Sequence, residues 1–482
     1  MIDFRRPLGA DLRSLAVFRI ALSCLVGADL IGRAQALRAH YTDAGVLPRA
    51  VLTESFSRTA QACLHLATGS VSGEAVLFAA GVFAALALMI GWRTRAACAA
   101  TWALTVSLQC RNPAVLYGMD NLLRLLLFWG MFVPLGARFS IDSAGQHLPD
   151  GSKENHFSMG TAALLLQVTT MYWFAAAAKS GEEWLKEGSA LYYAFHIEHM
   201  KTPLAVWLLQ FPGALKLLTF AAVHWEWAGA LLLLSPIAFV RARLIALGGF
   251  LALQVGIFLT LRVGLFPWAN LVALIPFIPS EGWRFFGKLS LRGPTVSSRF
   301  RDISRRLPPG GPPMFRLSRA GQAAVLVCGL YAFAWNLASF PPAEPALPGW
   351  FWTPGFLLRL DQDWSMFAPF PMKDTGWYVV RGVLSGGRPV DLLRWTIGEP
   401  PAGRQEPPMS NYRWRKYLFN LREDYWSDQR IHYAKYLCRE WGRTRPEEEA
   451  LKQVEIIYML EEIGPDSVAE PRREKIISSP CF

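Results

Sequence analysis

No two of the seven cysteines in this 482-residue chain stand in a CxxC spacing, which excludes zinc-ribbon and thioredoxin-like readings. No internal repeat is present, which sets aside solenoid and propeller architectures. The first apolar run lacks a small-residue cleavage site, so it reads as a retained helix and not as a signal peptide. The length would allow several soluble domains, and a hydrophobic share of 52% does not settle the class. The distribution does. Apolar runs recur that approach or reach the ~20 residues needed to span a bilayer, which rules out a soluble enzyme and a disordered chain alike.

Acidic residues are scarce in the first two thirds. Residues 1–340 hold 30 Lys+Arg against 17 Asp+Glu, whereas the remainder holds 19 against 20. The basic excess sits in short loops between apolar runs, which is how membrane topology is encoded and not a nucleic-acid footprint. The pattern predicts nine membrane helices, near 12–32, 73–90, 96–110, 121–136, 160–178, 214–238, 243–261, 264–280 and 321–340. Arg5, Arg6 and Arg13, then Arg93 and Arg95, then Arg241 and Arg243, then the basic connection 281–320 all fall on one side of such an order. Positive-inside bookkeeping makes that side cytoplasmic and puts 341–482 outside. The connection 137–159, where Arg138 and Lys153 meet three acids, fits this order least well.

The expected architecture is therefore an all-α polytopic membrane bundle with a small C-terminal α+β extracytoplasmic domain. Its parts are a transmembrane module over 8–280, a basic cytoplasmic linker over 281–320, a last helix over 321–340, and the tail 341–482. Pro/Gly segments at 308–314 and 340–350 flank that last helix. In the tail, WYVVRGVL–SGG–RPVDLL reads as a β-hairpin, 411–441 carries helical spacing, and VEIIYML at 454–460 reads as a strand. With the tail outside, Cys438 and Cys481 are oxidisable and able to pair.

Polar groups at membrane depth are costly and mark function. Asp29 and Arg33, four apart at a helix end, read as an interfacial pair. Asp120, Asn121 and Arg124 share a helical face, and Arg111, Asn112 and Pro113 precede them at the same external junction. Lys179 ends the fifth helix in AAAAKSGEEW. It can snorkel to the interface, pair with Glu182 or Glu183, or act as a base, since apolar surroundings disfavour an ammonium. His196 and His199 are three apart, but no third ligand is evident and no metal site is expected. His224 and Glu226, in VHWEW, lie near the outer end of the sixth helix, where Glu226 needs a partner such as Lys179 or Arg262.

SLAVFRIALSCLVGADLIGR, YTDAGVLPR, RNPAVLYGMDNLLRLLLFWGMFVPLGARFSID and LRVGLFPWANLVALIPFIP, in that order, resemble the HTTM membrane family over about residues 8–280. The resemblance implies a helical module whose working face is outside. In the carboxylase branch of the family, a lysine matching Lys179 is similar to the base that deprotonates vitamin K hydroquinone. Asn112 also matches, whereas Pro113 and Gln254 stand where that branch carries histidines; a quinone cofactor is implied only by that branch. A bacterial branch that matures an exported toxin peptide has a partner with an anchor followed by a QxWxFFxxxP-like motif, similar to the helix at 321–340 and QDWSMFAPFP at 362–371 here. Trp364, Phe367 and Phe370 equally suit an aromatic ledge against the membrane. Together these imply a bacterial inner-membrane protein that meets lipid and an exported peptide, with Lys179, Arg111, Asn112, Asp120, Arg124, His224, Glu226 and Gln254 at its site. A non-catalytic membrane chaperone or exporter component is the alternative, and quinone-linked γ-glutamyl carboxylation a second one.

Overall fold

A computed structural model describes residues 5–55, 63–144, 155–287, 315, 317–340, 347–404, 411–445, 449–465 and 467–481. Most of the connection 281–320 lies outside the described residues, as do Lys153, the Pro/Gly segment at 308–314, and 341–346 of the second such segment.

Nine helices follow the nine apolar runs: α1 (Leu12–Ala34), α2 (Val71–Ile90), α3 (Thr94–Arg111), α4 (Gly118–Gly130), α5 (Met159–Ala178), α6 (Pro212–Leu233), α7 (Phe239–Thr260), α8 (Phe266–Leu274) and α9 (Arg319–Ala338). Of these, α1, α2, α5, α7 and α9 are long and apolar enough to cross a membrane. The others depart from the expected nine spans for distinct reasons. At a rise of ~1.5 Å per residue, 13-residue α4 and nine-residue α8 fall short of the ~30 Å hydrocarbon thickness. The longer α3 and α6 carry polar groups such as Arg95, Arg111, Lys216 and Glu226.

Helix α4 is the hub. Leu122, Leu123, Leu125, Leu126 and Leu127 are all fully buried, and so are Asp120 and Arg124 on the same helix, each with ion partners. Around it pack α1, α3, α5 and α8. Outward faces of α2, α7 and α9 expose Val76, Phe83, Ile245, Leu251, Val327 and Leu330. Apolar surface that extensive calls for lipid and not water.

Local chemistry sets the helix ends. Asp11 caps α1 by accepting from Arg13 N at 2.8 Å, and Ser70 caps α2 by accepting from Gly73 N at 3.1 Å. Gly91 ends α2 at φ +70°, where a Cβ would come within 2.3 Å of Ser140 Cβ, so only glycine fits. At this end of the bundle, buried Arg19 donates to Leu135 O at 2.9 Å and to Met89 O at 3.3 Å. Asp142 accepts from Arg93 N, Thr94 N and Thr94 Oγ1 at 2.6–2.9 Å, closing the turn into α3.

After α9 comes α10 (Gly349–Leu358), then an antiparallel five-stranded sheet in the order β5-β4-β3-β6-β7. A separate two-residue pairing near the N-terminus takes the labels β1 (Ala10–Asp11) and β2 (Asn155–His156). The sheet strands are β3 (Asp374–Leu384), β4 (Pro389–Asp391), β5 (Thr396–Ile397), β6 (Leu451–Glu462) and β7 (Arg472–Pro480). The expected hairpin is β3–β4, and the expected strand at 454–460 lies inside β6, paired with β3 from Asp374↔Glu462 to Leu384↔Leu451. Helices α11 (Tyr412–Arg422) and α12 (Gln429–Thr444) cover one face through Tyr417, Leu421, Tyr433, Leu437 and Trp441. That core continues into Val46, Leu47, Leu52, Ala114 and Val115 of the bundle's loops.

Cys438 on α12 and Cys481 after β7 form a disulfide, with Cα atoms 5.6 Å apart. Non-reducing peptide mapping should recover the two as one linked species, and Cys481→Ser should lower tail stability by about 2–4 kcal/mol. Two free thiols in the native protein would count against the bond.

Candidate functional site

Three of the buried polar clusters hold residues expected at the site. The first joins the bundle to the tail. On α1, Arg33 Nε donates to Asp29 Oδ2 at 2.8 Å, and its Nη1 donates to the Tyr41 hydroxyl at 2.9 Å. Its Nη2 also donates to Asp120 of α4. Arg413 of α11 reaches down into the same place. It grips Asp120 with both terminal nitrogens, at 2.5 and 2.9 Å, donates to Val115 O at 2.9 Å, and bonds Asp29. The Tyr117 ring lies 4.6 Å from its guanidinium carbon. Two carboxylates thus balance two guanidiniums, all buried. Burial pushes the Arg413 guanidinium down, but Asp120 and then Asp29 overcome that and hold it well above its ordinary value. Burial, then the same Arg413 and Arg33, presses the neighbouring His40 imidazole down to about 3, so it stays neutral. The expected Asp29–Arg33 pair forms, and it is half of a buried four-charge cluster.

Arg111 and Asn112 brace this junction. Arg111 Nη1 donates to Leu47 O at 2.8 Å. Asn112 Nδ2 donates to His40 O at 3.0 Å, while its Oδ1 accepts from Ala114 N. Pro113 opens the short 3₁₀ turn Pro113–Val115 that follows.

The second cluster holds the segment after α10. Arg124 Nε donates to Arg359 O at 3.2 Å, and its Nη2 pairs with Asp361 Oδ2 at 2.9 Å. Gln362 Oε1 accepts from Gln167 Nε2 at 2.7 Å and from Trp364 Nε1 at 2.9 Å. Gln167 Oε1 in turn accepts from Trp129 Nε1 at 3.2 Å. Trp364 is buried and Phe367 packs against Trp184, while Phe370 is exposed. The aromatic motif is therefore built into the bundle through its first two rings; only Phe370 retains the expected ledge character.

The third cluster surrounds Lys179. Its Nζ donates to Glu226 Oε2 of α6 at 2.6 Å and to Ala175 O at 3.2 Å, and lies 5.5 Å from the Trp184 ring. The side chain is only 9% exposed. Glu182 and Glu183 are engaged elsewhere, with Lys186 and Lys373. The amine neither snorkels outward nor pairs locally. It meets a carboxylate and not bare alanine surface. The strap 364–373 is tied to the turn that follows Lys179: Trp184 Nε1 donates to Phe367 O at 2.8 Å and Gly181 N to Pro369 O at 2.9 Å. Deeper on α5, the Tyr172 hydroxyl donates to Asn270 Oδ1 at 3.2 Å and its ring stacks on Phe250 at 4.1 Å. Gln254 is buried beside them on α7, its Oε1 without a partner among the described residues.

Of the residues expected at one site, Lys179, Glu226 and Gln254 belong to this third region. Arg111, Asn112 and Asp120 gather at the tail junction and Arg124 at the second cluster. His224 is exposed, with its Nδ1 against Phe220 O at 2.8 Å. Among the described residues no group of three His, Cys, Asp or Glu could hold a metal. Arg413, Asp361, Gln362, Tyr172 and Asn270 were not foreseen. For Arg413 the one available signal was its basic neighbourhood NYRWRKY, which reads as a solvated helix.

The HTTM domain model matches residues 7–283. The chain belongs to the HTTM family. This HTTM chain is a membrane protein, and no curated protein and no solved structure matches it. The match ends before α9 and the sheet, so the strap beside Lys179 and Arg413 come from outside the family module.

Removing one member of a buried ion cluster strands its partners in low dielectric, at a cost of about 3–5 kcal/mol. Arg413→Ala should therefore lower the unfolding temperature in detergent sharply and expose the tail to protease. Arg413→Lys should not rescue it, because an ammonium cannot grip Asp120 with two nitrogens. Wild-type melting of Arg413→Lys would refute the two-pronged grip as the feature that matters.

Proposed function

We propose that this HTTM protein modifies or matures an exported peptide at the outer face of a bacterial inner membrane. In this reading the N-terminus is cytoplasmic, the chain crosses nine times with α4 and α8 as short crossings inside the bundle, and the tail faces outward. The observation that carries it is the largely buried Lys179–Glu226 pair, next to a turn that the strap from beyond the family module is tied to.

A lysine serves as a base only when neutral, and Glu226 is the acceptor in contact for the proton that must leave. The freed amine can then take a proton from a substrate carbon or heteroatom and return to the ammonium. Trp184 shields the amine, and Ala175 O orients it. Substrate reaches this amine by displacing the strap, which is fastened there by two backbone-carbonyl hydrogen bonds. A quinone does not fit the residues present. The amine is enclosed, and Pro113 and Gln254 supply no imidazole to share its proton, so no step is routed through such a cofactor.

A second reading is favoured by the tail junction. Arg111, Asn112, Asp120 and Arg124 all have structural partners, which suits a chaperone or exporter component without chemistry. The two separate at Lys179. As a base, Lys179→Ala and Lys179→Arg should both abolish maturation at normal protein level, since guanidinium holds its proton at any working pH. In a scaffold, Lys179→Arg should keep activity by preserving the pair with Glu226, while Lys179→Ala lowers protein level. Wild-type maturation by Lys179→Arg would remove the residue from catalysis.

Orientation is tested separately. A reporter fused after Phe482 that is active only outside the cytoplasm should be active; activity of a cytoplasm-only reporter there would overturn the nine-crossing order.

A further inference from the structure

A cavity of about 590 Å³ lies away from Lys179, between the tail and the loop that follows the short helix Ala190–His196. Ligand sites typically measure ~300–1,000 Å³. Its lining includes the apolar side chains of Trp377, Val379, Leu418 and Phe419. The same lining carries Lys201, Arg262, Arg394, Arg415 and Arg422 beside Glu198 and Asp391, with Asp374 paired to Arg422 and Asp391 3.7 Å from Arg394. Both lining carboxylates are already engaged. Glu198 pairs with Lys201 at 2.6 Å, and Asp391 accepts from the backbone of Leu393 and Arg394 at 2.9 and 3.2 Å.

The walls are fixed. Glu198 N donates to Thr375 Oγ1 at 2.7 Å, tying the bundle's loop to β3. His199 borders the cavity with a buried Nε2 that has no partner among the described residues. Burial, followed by Lys416, Arg415 and Arg422, holds its imidazole down to about 4. It therefore offers a hydrogen-bonding nitrogen without adding charge. Apolar and cationic side chains in one lining select an anion attached to an apolar body. No lining residue belongs to the lipid-suited faces of α2, α7 or α9, so an acyl chain seated here would leave the bilayer's apolar surface. Aromatic and aliphatic side chains beside carboxylates fit both kinds of lining.

We propose that this cavity is the docking site for an acidic, aromatic-containing segment of the exported peptide. The inference rests on the peptide-maturation reading and deepens it by placing recognition on the tail, apart from Lys179. The full-length protein in detergent would be titrated with a short fluorescein-labelled peptide rich in Glu and Tyr, read by anisotropy. Saturable binding is expected, weakened by salt as screening predicts. The Glu→Gln peptide should bind at least about tenfold more weakly. Lys201→Ala combined with Arg394→Ala should cost about tenfold, a factor of ten being about 1.4 kcal/mol. Arg394→Lys, which keeps the charge, should stay close to wild type, and the Gln peptide gives its result on wild-type protein even if the double variant misfolds.

Equal affinity for the two peptides would overturn the proposal, as would unchanged binding in a folded double variant. Displacement of the peptide by phosphatidylglycerol vesicles, with the same sensitivity to the double variant, would assign the cavity to lipid instead. Lys179→Ala should bind the peptide as wild type does. Binding without maturation in wild-type protein would count against the function proposed above and leave this site standing.

Discussion

One buried ion cluster sets the register in which the tail meets the bundle. Arg413 descends from the tail to Asp120 and Asp29, and Arg33 closes the square from below. Four charges with no access to water would each cost several kcal/mol if isolated. Here each is answered by an opposite charge and by further donors or acceptors, Tyr41 and Val115 O among them. Such an arrangement adds little net stability over apolar packing. What it supplies is a single permitted register, because any rotation of the tail would separate guanidinium from carboxylate. Asn411 reinforces that register by donating to Gly32 O at 2.8 Å.

Once the tail is fixed, the strap follows. The chain leaving α10 must pass α4, α5 and the Lys179 region to reach β3, and each passage has its own fastening. Arg124 holds Asp361, Gln167 holds Gln362, and Trp184 holds Phe367. Lys373 then pairs with Glu183 at 2.5 Å as the strand begins. The strap beside Lys179 is thus not a free loop but a run of chain tied at several points. Its opening would have to break carbonyl hydrogen bonds near Trp184 while the Asp361 and Gln362 ties could stay.

Much of the bundle was legible because its signal is local. Apolar runs marked where all nine helices lie, and the β3–β4 hairpin carried its turn in the sequence. The Lys179–Glu226 pairing was foreseen as one option because a carboxylate within the bundle needs a cation. Span number was less legible, since α4 and α8 are short yet packed among other helices, a fact no hydropathy window contains. Asp29 and Arg33 were legible only in part, for a related reason. Their four-residue spacing shows half of a cluster whose other half, Arg413, is 384 residues from Asp29. Strand β7 was missed because its first half, Arg472–Lys475, is charged and exposed and gives no alternating apolar face.

The choice of cation separates Lys179 from the rest of the interior. Arg19, Arg33, Arg111, Arg124, Arg243, Arg359 and Arg413 are all buried, whereas Lys179 is the one lysine so buried among the described residues. Arginine suits a permanent structural charge. Its planar fork meets several carbonyls or both oxygens of a carboxylate, and it does not give up its proton. Arg19 and Arg243 act in that way, each bonded to backbone carbonyls of separate turns. Lysine is a point charge with fewer directional bonds, and Lys179 makes only two, to Glu226 and Ala175 O. For bracing helices it is the poorer residue. As a residue type, lysine differs from arginine in being able to lose its proton. Among the described residues, arginine fills five other buried positions of the bundle and two beyond it, and the one buried lysine stands beside the strap.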